Sequence, residues 1–174
     1  MLTALGLPVE VADRIKDWVD QDELITGFGA EDSEYLIADP PHRAANRPLA
    51  DVSELALLAD LEPEASAQLR AAVAILPAAV NSINVNTAHP ASLAALSQDL
   101  SLAEAEAFAS ADRAFEDPAE AIAALGALGP AVDALGVASS FFEVAVRVDL
   151  ADVTVHLVST IYRDPGTGAT IVLS

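Results

Sequence analysis

The stretch Asp17 to Leu49, DWVDQDELITGFGAEDSEYLIADPPHRAANRPL, decides how this chain reads. It opens at a helix end, Trp18-Val19-Asp20, and then spaces Asp20, Asp22, Glu23, Glu31, Asp32 and Glu34 around a Gly27-Phe28-Gly29 turn. A hard divalent cation such as calcium takes about six to eight oxygen ligands, and carboxylates one residue apart on a glycine-bent loop can converge on such an ion. Asp20, Asp22 and Glu31 match the first, third and twelfth positions of an EF-hand loop, but Leu24 and Ile25 replace an oxygen ligand and the obligatory glycine. The loop is therefore not an EF-hand. One reading is a calcium ion held by Asp20, Asp22, Glu31 and Asp32. The competing reading is a solvated acidic loop whose aspartates cap helix ends.

Working outward, a helix is expected from Pro8, with Val11, Ile15, Trp18 and Val19 on one face. Trp18 reads as core, because a lone aromatic on an apolar stripe is ordinarily buried. On the other side, Pro40 to Pro48 is bounded by prolines and cannot be helical throughout. Its arginines, Arg43 and Arg47, are expected to pair with carboxylates such as Glu31, Asp32 or Glu34. Asn46 either holds the loop or offers its carbonyl to an ion.

Beyond the loop the pattern is helical, with starts at Ser53, Pro63, Pro90, Leu102 and Pro118 and breaks at Pro77 and at Gly126 to Pro130. Thr87 or Ala88 is expected near the cap of the Pro90 helix. From Phe141 the apolar period changes to two. Strands are predicted over Phe141 to Leu150, Val153 to Arg163 and Thr170 to Leu173, the first reading as half-buried. The fold class is α+β: a helical domain over residues 1–137, with the acidic loop at 20–39 and a hairpin-like segment at 83–111, then antiparallel strands over 138–174.

Composition limits the function. The chain has 174 residues, 53% of them hydrophobic, a formal net charge of −19 and no cysteine. Its mean hydropathy is +0.39 and its pI about 4.1. Such a chain buries a sizeable core, repels nucleic acid and anionic lipid, and has no disulfide or thiol chemistry. No run approaches the roughly 18 apolar residues of a membrane span. His42, His89 and His156 are unrelated in spacing, and the sequence has no nucleophile elbow, phosphate loop or zinc-protease motif. No enzyme activity is expected.

The blocks W-V-D-x-D (Trp18 to Asp22), G-A-E-D-x-x-Y-L (Gly29 to Leu36), P-P-H-R-A-A-N-R-P-L (Pro40 to Leu49), S-E-L (Ser53 to Leu55) and I-N-V-N-T-A (Ile83 to Ala88) resemble the minor pseudopilin K family of bacterial type II secretion systems. Ser139 to Val144 resembles that family's return into its sheet. His42 stands where the family usually has Tyr, and Asp60 where a Gly commonly ends a short helix. The resemblance implies a helical domain inserted in a pilin-like fold, a membrane helix ahead of residue 1, and a periplasmic domain of an inner-membrane-anchored protein. It further implies joining with minor pseudopilins of the I and J types at the filament tip, in support of pseudopilus assembly and protein secretion. Without its usual cover, the apolar sheet face is expected to self-associate weakly. Two alternatives come from other classes. One is a carboxylate-based hydrolase of cell-wall sugars, which needs two acids facing a cleft. The other is a helix-hairpin-helix module for nucleic acid, whose glycine hairpin is replaced by Ser97 to Leu100.

Overall fold

The computed structural model describes residues 1–76, 82–126 and 132–173. Pro77 and the Gly129-Pro130 break lie outside them. Helix α1 runs Val11–Val19. The Val11 N–H bonds the Pro8 carbonyl at 3.2 Å, so Pro8 leads a turn ahead of the helix and does not occupy its first position. One turn of helix, α2 (Asp32–Tyr35), follows the acidic loop. A 3-10 turn spans Val52–Leu57, and its N-cap is Asp51, which accepts the Ser53 N–H at 2.8 Å. Helix α3 (Pro63–Ala72) starts on a proline that fits the first helical position and ends where Val73 turns extended.

These elements close on a first core of Leu7, Val11, Trp18, Tyr35, Leu55, Leu58 and Leu69. Trp18 and Tyr35 meet edge to face at 5.0 Å, and the His42 ring packs on both, 6.0 Å from Trp18 and 5.1 Å from Tyr35. The imidazole thus fills an aromatic position. Glu54 locks the core from outside, accepting from Trp18 Nε1 (3.4 Å), Arg47 (3.3 Å) and the N–H groups of Ala50 (2.8 Å) and Asp51 (3.2 Å).

A second core lies further along the same helical block. Two short strands, β1 (Ile83–Asn84) and β2 (Leu135–Gly136), pair in parallel beside α4 (Pro90–Ala94), α5 (Leu102–Ser110) and α6 (Pro118–Leu125). Val85, Leu93, Leu100, Ala105, Ala121 and Leu135 are buried there. The I-N-V-N-T-A block is structural. Asn86 donates to the carbonyls of Phe115 and Val137, both at 3.0 Å, and accepts the Phe115 N–H at 2.9 Å. The cap of α4 is His89, whose Nδ1 accepts the Ala91 N–H at 3.2 Å; Ala88 and Thr87 directly precede it.

The antiparallel sheet has the order β3-β4-β5, from Phe141–Leu150, Val153–Arg163 and Thr170–Val172. Leu150 pairs Val153 across a two-residue turn, and the register runs back to Phe141 opposite Tyr162. That register puts Phe142, Val144, Val146, Val148 and Leu150 on the same face as Val153, Val155 and Leu157. All eight are exposed. The expectation of a half-buried strand is corrected: the alternation is present, but the helical block leaves the apolar face open. No helix among the described residues is long and apolar enough to cross a membrane.

Candidate metal centre

The acidic loop is fastened to α1 by its own backbone. Asp17, fully buried in the last turn of α1, accepts the Thr26 N–H on Oδ2 at 2.9 Å, and Asp13 accepts the Phe28 N–H at 3.0 Å. Gly29 is required by this closeness: a Cβ there would fall 1.9 Å from Asp17 Oδ2 and 2.9 Å from the Thr26 carbonyl oxygen. Asn46, at φ +45°, donates its N–H to the Trp18 carbonyl at 3.0 Å, which lays the Pro40 to Pro48 segment against the end of α1.

Six buried side-chain oxygens among the described residues have no hydrogen-bond partner, and five belong to this region: Asp17 Oδ1, Asp20 Oδ1, both carboxylate oxygens of Glu31, and Asn46 Oδ1. Leaving such groups buried and unpaired costs on the order of 1–3 kcal/mol each, more when charged. Glu31 registers the crowding. Burial, followed by the negative charges of Asp17, Asp20, Asp22 and Asp32, raises its pKa from 4.5 to about 7.

The four residues singled out in the sequence stand differently here. Asp20 caps the C-terminal end of α1 and keeps one oxygen buried and unpaired. Glu31 heads α2. Asp32 is already engaged, by the Ala44 N–H at 3.0 Å and by Arg43. Asp22 is exposed and accepts the Leu24 N–H at 2.9 Å. Among the described residues no three histidine, aspartate or glutamate side chains converge as a ready-made cation site. Asp17 and Asn46 join this set through the tertiary structure. Asp17 had one sequence signal, its place three residues before Asp20 on the same helical face. The arginines divide: Arg43 pairs Asp32, whereas Arg47 pairs Glu54, a carboxylate outside the expected group.

A cleft of about 1060 Å³ lies elsewhere, between α3, the β1 to α4 segment and the start of β3. Asn84, Thr87, His89, Ser139 and Tyr162 are among its polar lining, the rest being mostly small side chains, and no carboxylate of the described residues lines it.

A family model described as type II secretion system, protein K, matches residues 1–78. The chain is 36% identical over 171 residues to type II secretion system protein K of Pseudomonas aeruginosa, covering 94% of this chain and 51% of that protein. It is 39% identical over 101 residues to the protein of the same name from Klebsiella pneumoniae, covering 56% of this chain and 31% of that one. Among solved structures it superposes on a chain of the GspK-GspI-GspJ complex from the enterotoxigenic Escherichia coli type 2 secretion system, with a TM-score of 0.78 and 26% identity, over 99% of this chain and 65% of that one. The chain spans about half the length of the Pseudomonas relative.

Proposed function

Because the chain belongs to the family of type II secretion system protein K, we propose that it acts as a minor pseudopilin: a structural, non-enzymatic subunit at the tip of the pseudopilus, joined to the I and J pseudopilins and supporting filament assembly and protein secretion. The observation that carries this reading is the superposition of the whole chain, helical block and sheet together, on a chain of the GspK-GspI-GspJ complex. The helical domain over residues 1–137 works in the periplasm, and the full-length protein is anchored in the inner membrane before assembly. Co-expression with the I and J subunits of the same secretion system tests the reading. A stable three-subunit complex is expected on gel filtration, and an unassociated chain would reject it.

Calcium is part of the proposal. Asp20, Asp22, Glu31 and Asp32 hold the ion, with Asp17 and the Asn46 carbonyl within the same loop system. An all-oxygen donor set suits a hard cation, and the unpartnered oxygens of Asp17, Asp20, Glu31 and Asn46 are the groups that an ion would satisfy. The ion would supply positive charge that these acids lack, so that the loop ties α1 to α2 and the Pro40 to Pro48 segment as one rigid face. A rise in melting temperature of several degrees is expected in excess calcium over EDTA, without an equal rise in magnesium. Asp20→Ala/Asp22→Ala should abolish that rise. A variant that loses the same stability with and without calcium would sink the mechanism.

A further inference from the structure

The first core carries, on its outside, a set of large apolar side chains that this chain leaves in solvent. Leu24, Ile25 and Phe28 come from the acidic loop, Leu36 and Ile37 from the segment after α2, and Leu57 from the end of the 3-10 turn. Phe28 is 68% exposed and Ile37 85%. Scattered apolar residues on a surface are ordinary, but several held together mark an interaction site.

These are held together. Arg14, only 19% exposed, donates from Nε to the Phe28 carbonyl at 3.4 Å, from Nη1 to the Ala59 carbonyl, and from Nη2 to the Asp60 carboxylate at 3.1 Å. The Tyr35 hydroxyl accepts the Ala59 N–H at 3.5 Å, one residue before Leu36. His42 lies 3.0 Å from the Pro40 carbonyl and 3.2 Å from that of Leu57. The loop tip, Tyr35 of α2 and the end of the 3-10 turn are thus tied by hydrogen bonds that bring Phe28 and Leu57 to one hub, with Leu36 and Ile37 following Tyr35 directly in the chain.

The surroundings are acidic. Glu23 and Asp39 are exposed on the loop and after α2, while the cations of α1 each face a carboxylate: Arg14 pairs with Asp60 at 3.1 Å and Lys16 lies 3.8 Å from Asp20. We propose that this face is a docking surface for a protein segment that presents apolar side chains flanked by lysine or arginine. Charge selects that occupant. A second copy would set one acidic rim against another, and an anionic lipid surface would be repelled. Phe28 is the anchor, because buried aromatics dominate interface energies. The inference stands on the geometry of the first core and does not depend on the filament assignment.

The test uses the full chain, in excess calcium, with two labelled peptides of equal positive charge, one an amphipathic leucine-lysine helix and the other oligolysine. The amphipathic peptide should bind at least about tenfold more tightly. Phe28→Ser/Ile37→Ser should erase that difference with the melting temperature unchanged, since both side chains are already exposed. Val146→Ser/Val155→Ser, on the other apolar face, should keep it. Equal affinity for the two peptides, an unaffected Phe28/Ile37 variant, or a loss confined to the sheet variant would each overturn the proposal. Preferential binding to phosphatidylglycerol vesicles, or a dimer abolished by Phe28→Ser, would overturn it as well.

Discussion

Glu31 concentrates the tension of the acidic loop in one carboxyl group. Its pKa, raised to about 7 chiefly by burial, means that the folded chain holds a proton there which the unfolded chain releases at about 4.5. Folding stability from this group is therefore complete below about pH 4.5 and is lost as pH rises through about 7. In EDTA, the melting temperature should climb as pH falls from 8 to 5, and Glu31→Gln should flatten that climb and raise stability at pH 8. A Glu31→Gln protein with an unchanged pH profile would mean that another group carries it. Gly29 makes a second test. Its replacement by Ala drives a methyl group into the Asp17 carboxylate, which is buried and bound to the Thr26 N–H. A loss of about 1–3 kcal/mol in denaturant unfolding is expected, the usual cost of overpacking. The acids of the loop were legible in the sequence as residue types. Their states were not, because the Asp17 and Asn46 oxygens are buried by segments remote from them in sequence.

At the scale of elements, the boundaries most legible in the sequence are those set by local chemistry. Pro63, Pro90 and Pro118 each occupy the first position of a helix, and the period of two marks β3 and β4 to the residue. The single turn α2 was not legible, since four residues carry no periodicity. The β1-β2 pair was not either, because two-residue strands that meet from distant positions leave no pattern. The 3-10 turn depends on Glu54, which gathers Trp18, Arg47 and two backbone N–H groups. Glu54→Ala should cost about 1–2 kcal/mol in equilibrium unfolding, because it removes the capping acceptor of the 3-10 turn and leaves the part-buried Trp18 Nε1–H without its partner. A cost below about 0.5 kcal/mol would show that water replaces the carboxylate freely.

For the whole molecule, the relevant fact is an apolar sheet face without cover. Val146 and Val155 are about half exposed, so Val146→Lys/Val155→Lys should change the stability of the chain by less than about 0.5 kcal/mol. The same substitutions should abolish the weak concentration-dependent self-association expected of so large an apolar surface, as read by sedimentation velocity. Unfolding of the double variant would instead place these valines in contact with the helical block. The helical region, read as one domain, divides its packing between two cores, one around Trp18 and Tyr35 and one around Val85 and Leu93.

What the sequence determined by itself was the inventory: helices then strands, an acidic loop rich in oxygen donors, and block order that matches the protein K family. These follow from proline geometry, capping side chains and hydrophobic period, which act over a few residues. Only the tertiary structure decided which acids are buried without partners, that Arg14 joins the loop to Asp60, and that the sheet face stays open. Burial and Coulomb interactions depend on distances in space, and those are set by packing between segments that lie far apart along the chain.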